Sequence, residues 1–509
     1  MNNPIIAFAI FWGVWILVPI VWDGLWVFIQ AVVVLIWGRD FRKHHLSEDQ
    51  LPLVSVVIPT YNEEENIHEC LSHLKIQTYP HHQLEIIVID NGSVDKTRTI
   101  VLDHVTNGRN GEVNIERPPA GKVKIHGETF RFGEFAGVVD LITRPEKGKA
   151  EALNEGILKS KGEIVITIDS RTFLAPKAIY NMVAKFIEEP KMMACTGNIE
   201  INWQMLYERA ANGQPVLDSD GHFQSKHLSV KESFLAKCQF LEYLSGFRIG
   251  RQFQDITDSI YTLAGAFSGF RRLVLLTLYD STTVSEDTDL TFVLQRQKFR
   301  VGYAADAKAY LRPITSWERL YGQRVRWSRG EMEVFGLHEK FYKALYNNLG
   351  KKIIYPHLLM TDHTFVFPRL IWTLLLPLMF LFGYSLKLIF LAILLMIGFY
   401  IVLDFFIIAC CWLVVDQDTR LQIRRSFHYF LVIWIYRFVL YFFRMSAYLI
   451  ICKEEGEWTV EKNPIKSIKR ITRAFRDRRR QGRVQLAPAQ EEKIQTIVKA
   501  IDGLNGRQK

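Results

Sequence analysis

Cysteine is scarce in this 509-residue chain, and its spacing excludes a cysteine-ligated metal site. The six cysteines show none of the short spacings that metal ligands have, and an adjacent pair lies inside an apolar run. We therefore interpret all six as reduced, small apolar residues. They are Cys70, Cys195, Cys238, Cys410, Cys411 and Cys452.

Two further absences narrow the class of protein. The sequence has no internal repeat. Its apolar N-terminal run lacks the basic residues and the small-residue cleavage site of a secretory signal, so we expect this run to be retained. The net charge of +10 comes mostly from residues that flank apolar runs, and it gives no reason to expect nucleic acid as a partner.

Long apolar runs are what the sequence has in abundance. Hydrophobic residues make up 49% of the chain and concentrate in residues 5–37, 365–383, 386–415 and 427–452. A helix needs roughly 20 apolar residues to cross a bilayer. We therefore predict an integral membrane protein with an α-helical transmembrane region.

Basic residues at the ends of these runs predict the orientation. Arg39, Arg42 and Lys43 follow the first run, and residues 462–480 after the last run are rich in lysine and arginine. The positive-inside rule places both flanks in the cytosol, with the domain between them. This predicts a multi-pass protein of the plasma membrane. Its expected parts are transmembrane segments in 1–40, a cytosolic domain in 50–345, a transmembrane region in 360–452 and a basic cytosolic tail in 453–509. The number of crossings stays open, because two cytosolic flanks require an even number in a C-terminal region that shows three apolar runs.

Short β-branched segments that alternate with helices predict an α/β domain. Residues 54–59, 85–90 and 163–169 are typical of buried strands, and we expect helices over 62–74 and from Lys149 onwards. This alternation predicts a mainly parallel, Rossmann-like sheet with helices on both faces.

Polar residues follow these strands at their carboxyl ends. In parallel sheets ligands bind beyond that edge, so we expect Tyr61, Asp90 and Asp169 to converge on one pocket. For the two aspartates, turn formation at a strand end is the alternative. Residues 107–140 and 207–230, rich in Gly, Pro and charge, are predicted to be surface loops.

Two clusters of functional side chains precede the C-terminal apolar region. Residues 323–327 hold two arginines, a glutamine and a tryptophan, and residues 285–287 hold a pair of carboxylates. Arginine forks bind phosphate oxygens, an indole face can stack on a sugar ring, and a carboxylate can deprotonate a hydroxyl. Together the clusters predict sugar transfer from an activated donor beside a membrane. For residues 323–327 alone, a basic amphipathic helix on lipid headgroups is the alternative.

In this order, the motifs resemble those of the processive, membrane-embedded family 2 glycosyltransferases, which include cellulose, hyaluronan and poly-N-acetylglucosamine synthases. The resemblance implies a GT-A catalytic domain that uses a UDP-sugar and passes its polymer into a membrane channel. The matching segments are residues 59–63, 90–93, 149–154, 169–172, 285–287 and 323–327.

The resemblance assigns the donor site residue by residue. Tyr61 and Glu63 match positions that flank the uracil, and Asp90 matches the acceptor of its N3–H. Lys149 matches a basic contact to the donor nucleotide, with a solvated first-turn lysine as the alternative. Asp169 matches the first acid of the DxD motif, which holds the diphosphate through a divalent cation, Mg²⁺ or Mn²⁺.

The resemblance also assigns the catalytic and acceptor residues. Asp287, which follows Glu286, matches the general base. Gln323, Arg326 and Trp327 match the clamp on the diphosphate and the acceptor sugar, and Arg324 lies in the same cluster.

Three positions depart from the family pattern. Ser285 replaces a threonine conservatively, and Arg312 stands where a glutamate is usual. Arg171 replaces the second aspartate of DxD, which puts the divalent cation in doubt. Either Asp169 holds the cation with water and phosphate oxygens, or the Arg171 guanidinium partly substitutes for it. A third possibility is a different donor or an impaired enzyme. The remaining alternative is that Arg171 points away and pairs with a surface acid.

The expected reaction is inverting transfer to a growing polysaccharide that is exported through the bilayer. One alternative is a non-processive transferase that adds one sugar to a lipid carrier, and another is a non-catalytic scaffold in a membrane assembly. The segment after residue 452 is too short for a cyclic-dinucleotide receptor module, so we do not expect regulation of that type.

Overall fold

The computed structural model describes residues 23–38, 47, 50–106, 122–125, 128–131, 138–143, 148–210, 216–220, 223–275, 285–338 and 376–453. The first part of the N-terminal apolar run, most of the run at 365–383, and the basic tail from 454 lie outside the described residues.

An eight-stranded sheet forms the centre of the α/β domain, and a separate hairpin, β3–β4, lies outside it. The order across the large sheet is β5-β2-β1-β6-β9-β8-β10-β7. The strands are β1 (Val54–Thr60), β2 (Leu84–Asp90), β3 (Lys122–Ile125), β4 (Glu128–Arg131), β5 (Val138–Thr143), β6 (Ile164–Ile168), β7 (Thr172–Leu174), β8 (Met192–Ile201), β9 (Phe267–Arg271) and β10 (Arg300–Leu311).

The sheet is mixed, although its first four strands are parallel. β5, β2, β1 and β6 pair in parallel, and so do β8 and β10. β9 runs antiparallel to both β6 and β8, and β7 runs antiparallel to β10. The prediction of a mainly parallel sheet is therefore confirmed for one half only.

Thirteen α-helices are present in the described part of the chain. They are α1 (Leu25–Trp37), α2 (Ile67–Lys75), α3 (Thr97–Thr106), α4 (Lys149–Lys159), α5 (Ala178–Glu188), α6 (Val230–Ser245), α7 (Gln252–Ile256), α8 (Arg272–Leu275), α9 (Glu286–Arg296), α10 (Trp317–Leu337), α11 (Leu386–Val414), α12 (Gln417–Ser426) and α13 (Ile433–Lys453). A π-helical segment, Gly246–Arg251, joins α6 to α7.

Helices cover both faces of the sheet, as predicted. Successive side chains of a strand point to opposite faces. In β1, Val56 belongs to the core layer that includes Leu71 of α2, whereas Val57 belongs to the layer that includes Leu153 of α4. Both faces of β1 are thus buried, which explains its unbroken apolar sequence.

The helix predicted over 62–74 begins later than expected. Residues 62–66 form a turn, and α2 starts at Ile67. Asn62 has a φ of 53°, in the left-handed region, which ends regular structure directly after β1. The acidic residues that suggested a first helical turn lie in this loop instead.

α11 and residues 433–450 of α13 are long and apolar enough to cross a membrane. The shorter α1 packs beside α11, with Phe28 stacked on Phe406 at 6.0 Å and Gly24 against Phe399.

Both predicted surface loops contain more structure than expected. The described residues of 107–140 include β3, β4 and the start of β5. In 207–230, Tyr207 and Phe223 are buried in a small core with Met205. A few aromatic residues and short strands hold these polar segments in place, and the overall composition of the segments did not indicate them.

Candidate active site

One cavity of about 2390 Å³ begins beyond the carboxyl ends of β1 and β6 and continues between α11 and α13. Of the twelve predicted site residues, eleven line it: Tyr61, Glu63, Lys149, Asp169, Arg171, Glu286, Asp287, Gln323, Arg324, Arg326 and Trp327. The sheet edge chosen from the sequence is therefore the edge at which these residues meet.

Asp90 is the predicted site residue that does not line the cavity. Its side chain is buried, and its Oδ1 accepts a hydrogen bond from the Ser93 backbone N–H at 3.0 Å. This contact is the turn-forming role that the sequence allowed as an alternative. The neighbouring Asn91 forms the cavity wall at this point.

The loops after β1 and β2 are held together by hydrogen bonds. The Asn62 backbone N–H donates to Ser93 Oγ at 3.0 Å, and Asn62 Oδ1 accepts from the Val94 N–H at 2.9 Å. The Glu63 N–H donates to Thr97 Oγ1 at 2.7 Å. These contacts fix the position of Tyr61, whose half-exposed ring faces the cavity.

Arg171 pairs with an acid, as one of the alternatives predicted. That acid, Glu63, is not on the surface but is buried in the cavity wall. The Arg171 Nε lies 2.7 Å from Glu63 Oε1. Burial raises the pKa of Glu63, while Arg171 and the Asn66 amide oppose that rise. The arginine in the DxD position therefore neutralises a carboxylate predicted to flank the nucleotide base.

Lys149 lies between the two carboxylate clusters. Its Nζ is 2.8 Å from Asp169 Oδ1 and 3.1 Å from Glu286 Oε1. The lysine starts α4 directly after Gly148, whose φ of 95° allows the sharp turn into the helix. It thus bridges the strand-end acid of β6 and the acidic first turn of α9, and the solvated-lysine alternative does not hold.

Asp287 is held firmly in the first turn of α9. Its Oδ2 accepts from the Gly265 N–H at 2.9 Å and its Oδ1 from the Thr288 N–H at 2.8 Å. Burial and the adjacent Glu286 raise its pKa to about 6, while Lys149 and the two backbone amides act in the opposite direction. A carboxylate with this pKa is ionised at neutral pH and can still accept a proton, as a general base requires.

α10 carries the predicted diphosphate and acceptor residues along the cavity. Arg326 is exposed, and within the described part of the chain it has no ion pair. Arg324 is buried instead: its Nη2 donates to Glu242 Oε2 at 2.7 Å, and its guanidinium lies 4.7 Å from the Trp327 ring centroid. Arg326 is thus available to an anion, whereas Arg324 fastens α10 and the indole to α6.

Arg312, at a position where the family usually has a glutamate, makes structural contacts. It forms an ion pair with Glu69, donates to Asn66 Oδ1 at 2.6 Å and lies 4.8 Å from the Phe173 ring centroid. These contacts tie the end of β10 to α2.

Asp169 is the described residue best placed to hold a divalent cation. Its side chain is partly exposed to the cavity. The second acid of its motif is absent, because Arg171 occupies that position. No cluster of three potential metal ligands occurs among the described residues. Mg²⁺ commonly takes one or two carboxylates and completes its shell with substrate phosphates and water. The residues present fit a cation of that kind.

Two glycines close to the site were not identified from the sequence. A Cβ on Gly265 would lie 2.9 Å from Asp287 Oδ2. A Cβ on Gly330 of α10 would overlap Ser285 Oγ and lie 2.8 Å from Ser285 Cβ. Both positions therefore require glycine, and the small-residue run 264–266 was the only sequence signal for the first.

Comparisons with known proteins agree with this geometry. The chain matches the glycosyl transferase family 2 over residues 55–124 and 132–275, and the glycosyl transferase family group 2 over residues 227–452. It is 26% identical over 321 residues to a poly-beta-1,6-N-acetyl-D-glucosamine synthase of Staphylococcus epidermidis, covering 62% of this chain and 64% of the relative. It is also 26% identical over 295 residues to the synthase of that name from Staphylococcus aureus, covering 58% of each. These alignments span less than two thirds of either relative.

A solved structure shares the fold. The mannosyltransferase PcManGT from Pyrobaculum calidifontis, in complex with GDP-Man and Mn²⁺, superposes with a TM-score of 0.51 at 15% identity, covering 86% of this chain and 97% of that one. The mixed sheet with its cavity is therefore a GT-A-like fold.

Proposed function

Because the chain is a family 2 glycosyltransferase of the cellulose and poly-N-acetylglucosamine synthase type, we propose that it extends a polysaccharide processively and exports it through the membrane. The donor is a nucleotide sugar bound at the carboxyl ends of β1 and β6. Its diphosphate lies near Asp169, and the catalytic domain faces the cytosol.

The observation that carries this proposal is the continuity of the cavity. From Asp287 it passes Trp327 and continues between α11 and α13, where polar and aromatic side chains lie among apolar ones in its wall. Among these are Tyr400, Asp404, Arg437, Tyr441 and Arg444. Ionisable side chains at membrane depth are costly and usually face a hydrated path. The hydroxyl, carboxylate and guanidinium groups in this wall can form hydrogen bonds with a hydrated polymer, and its aromatic faces can stack on sugar rings.

In the proposed reaction Asp287 acts as the general base. It takes the proton of an acceptor hydroxyl, whose oxygen attacks the anomeric carbon from the face opposite the diphosphate. The bond from that carbon to the diphosphate oxygen breaks, and its electron pair leaves with the nucleotide. The configuration at the anomeric carbon is inverted. Trp327 orients the terminal sugar for this attack.

The leaving diphosphate gains negative charge, which cations at the cavity wall stabilise. Lys149 reaches the site from α4. The guanidinium of Arg326, which has no ion pair among the described residues, reaches it from α10. A divalent cation at Asp169 would supply further electrophilic stabilisation of the phosphate oxygens. Tyr61 and the Glu63–Arg171 pair lie on the side of the cavity that we assign to the base.

UDP-N-acetylglucosamine is the first donor to test, because both relatives above are named for poly-N-acetylglucosamine synthesis. Purified protein should release UDP from one member of a panel of UDP- and GDP-sugars, with Mg²⁺ or Mn²⁺ present. The product should be a ladder of increasing length that disappears with a matching glycosidase.

Other products would point to the alternatives. A single-sugar glycolipid would support the non-processive transferase. If no sugar nucleotide is consumed by protein that unfolds cooperatively, the scaffold alternative would replace the proposal.

A further inference from the structure

A basic and apolar surface surrounds α12, where α11 meets the catalytic domain. We define the α12 surface by the cations Lys237, Arg420, Arg424 and Arg425 and by the exposed apolar residues Leu413, Leu421, Phe427 and Leu431. The mechanism above uses none of these side chains.

Contacts with the catalytic domain fix the position of this surface relative to the candidate membrane span α11. Asp416, at the amino end of α12, pairs with Lys308 of β10. The Tyr429 hydroxyl donates to Ser233 Oγ of α6 at 3.0 Å. The carboxyl end of the candidate membrane span α11 therefore lies against the catalytic domain, and α12 follows on the same side of that span.

Among the described residues, none of the four cations of the α12 surface forms an ion pair with a carboxylate. The Arg424 and Arg420 guanidiniums lie 5.2 Å and 5.9 Å from the Trp412 ring centroid, and Lys237 Nζ lies 5.0 Å from that of Tyr429. Burial, and then the charge of Arg425, lower the pKa of Lys237. This surface therefore has a net positive charge that the fold does not neutralise.

Exposed apolar side chains lie beside these charges. Phe427 is 57% exposed and Leu431 is 62% exposed, directly after the basic helix. Arginines beside exposed leucine and phenylalanine are typical of helices that lie in the plane of a membrane interface.

We propose that the α12 surface binds anionic phospholipid headgroups of the leaflet that faces the catalytic domain. The guanidiniums contact the headgroup phosphates, while Leu421, Phe427 and Leu431 enter the acyl-chain boundary. This proposal rests on the proposed membrane location, but not on the sugar that is transferred.

The expected effect is a preference for anionic over neutral lipid. A basic residue near an anionic membrane contributes about 1 kcal/mol, which is roughly a fivefold preference per charge. Arg424→Gln with Arg425→Gln should therefore lower the enrichment of anionic lipid by about tenfold or more.

The test measures lipid retained by the full-length protein. Protein exchanged into micelles with equal phosphatidylglycerol and phosphatidylcholine is re-purified, and the two bound lipids are quantified by mass spectrometry. Wild type should retain mainly phosphatidylglycerol, and the double variant should retain it with an enrichment that is lower by about tenfold or more. The matched control is Lys159→Gln with Lys161→Gln, which removes two exposed charges at the opposite edge of the sheet and should keep the enrichment.

A second variant separates charge from folding. Arg424→Lys with Arg425→Lys keeps the charge and should keep the enrichment even if the glutamine variant unfolds. Equal enrichment in wild type and a folded glutamine variant, or no enrichment in wild type, would overturn the proposal. Because lipid retention does not depend on turnover, failure of this test is distinct from failure to make polymer.

Discussion

At the scale of single residues, Asp287 is the carboxylate whose surroundings suit proton transfer best. Two backbone amides orient it, and burial beside Glu286 raises its pKa to about 6. Asp287→Asn keeps the shape and removes the base. We expect turnover to fall by roughly 10²–10⁴-fold while donor affinity stays within a few-fold. UDP release and donor binding by calorimetry check this, and near-normal polymer synthesis would contradict the role.

The pH dependence of turnover follows from the same residue. The base must be ionised, so the rate should fall as the pH drops through about 6. The Lys149 cation lowers the pKa of Asp287, so Lys149→Met should raise that pKa and move the acidic limb of the profile to higher pH. The limb is measured by UDP release at saturating donor. The control variant Lys159→Met, on the exposed end of the same helix, should leave the acidic limb in place. A shift of the limb to lower pH in Lys149→Met would contradict the assignment.

We expect Arg171 to influence how strongly the reaction needs a divalent cation. Wild type presents one carboxylate, Asp169, and an arginine that is engaged with Glu63. Arg171→Asp adds a potential ligand and removes a positive charge, so half-maximal activity should require several-fold less Mn²⁺. Arg171→Gln removes the charge without adding a ligand and should show a smaller shift. Superimposable Mn²⁺ titrations of all three proteins would mean that Arg171 has no influence at the diphosphate.

Individual partners of these residues were beyond what the sequence could predict. Strand-end positions located Tyr61 and Asp169 correctly, because the carboxyl ends of parallel strands share an edge. The Glu63–Arg171 contact joins residues 108 positions apart, and no local pattern encodes it. The contact between Arg324 and Glu242 is not encoded locally either. For that reason the sequence grouped Arg324 with the phosphate-binding residues, although its side chain is buried against Glu242.

At the scale of elements, periodicity predicted the strands that are buried on both faces. β1, β2 and β6 appear within a residue or two of their predicted bounds. The antiparallel β9 was missed because its segment is short and contains Ser268 and Gly269 between its apolar residues. The late start of α2 was missed because acidic residues suit a helix start and a loop alike.

The close packing of α10 on the start of α9 gives an element-scale prediction. A Cβ at Gly330 would overlap Ser285 Oγ, next to Glu286 and Asp287. Gly330→Ala should therefore push α10 away from the base and lower turnover by at least tenfold, with donor affinity less affected.

Two other glycines of α10 provide matched controls. Nothing lies within 4 Å of a Cβ placed on Gly322 or Gly336. Alanine at either position should raise helix stability by up to about 1 kcal/mol and leave turnover near wild type. If all three variants lose UDP release equally, α10 is sensitive to substitution in general. In that case Gly330 would have no special role in setting the distance between α10 and Asp287.

At the scale of the whole molecule, a buried polar network joins the catalytic domain to the membrane helices. Glu200 of β8 pairs with Lys308 and Arg248, and its Oε2 accepts from Thr419 Oγ1 of α12 at 3.2 Å. Lys308 also pairs with Asp416. The apolar runs predicted membrane helices, but only the folded chain shows how they are fastened to the catalytic domain.

A second ion pair, between Asp404 of α11 and Arg437 of α13, lies in the cavity wall. Asp404→Leu alone leaves Arg437 without its carboxylate. Because Arg437 is half-buried and lines the cavity, this variant should be destabilised by less than the roughly 3–5 kcal/mol expected when a fully buried pair is broken. Replacing both by apolar residues is often neutral for stability. Asp404→Leu with Arg437→Met should therefore unfold near the wild-type temperature.

If the pair lines the exit path of a hydrated polymer, the double variant should lose long products despite its stability. Its wall would lose two side chains that can hydrogen-bond to sugar hydroxyls, so elongation should stall after a few additions while the first transfers continue. The measurement is product length by gel electrophoresis together with initial UDP release. Wild-type product lengths in a stable double variant would show that the pair only holds α11 against α13, and that the polymer leaves by another route.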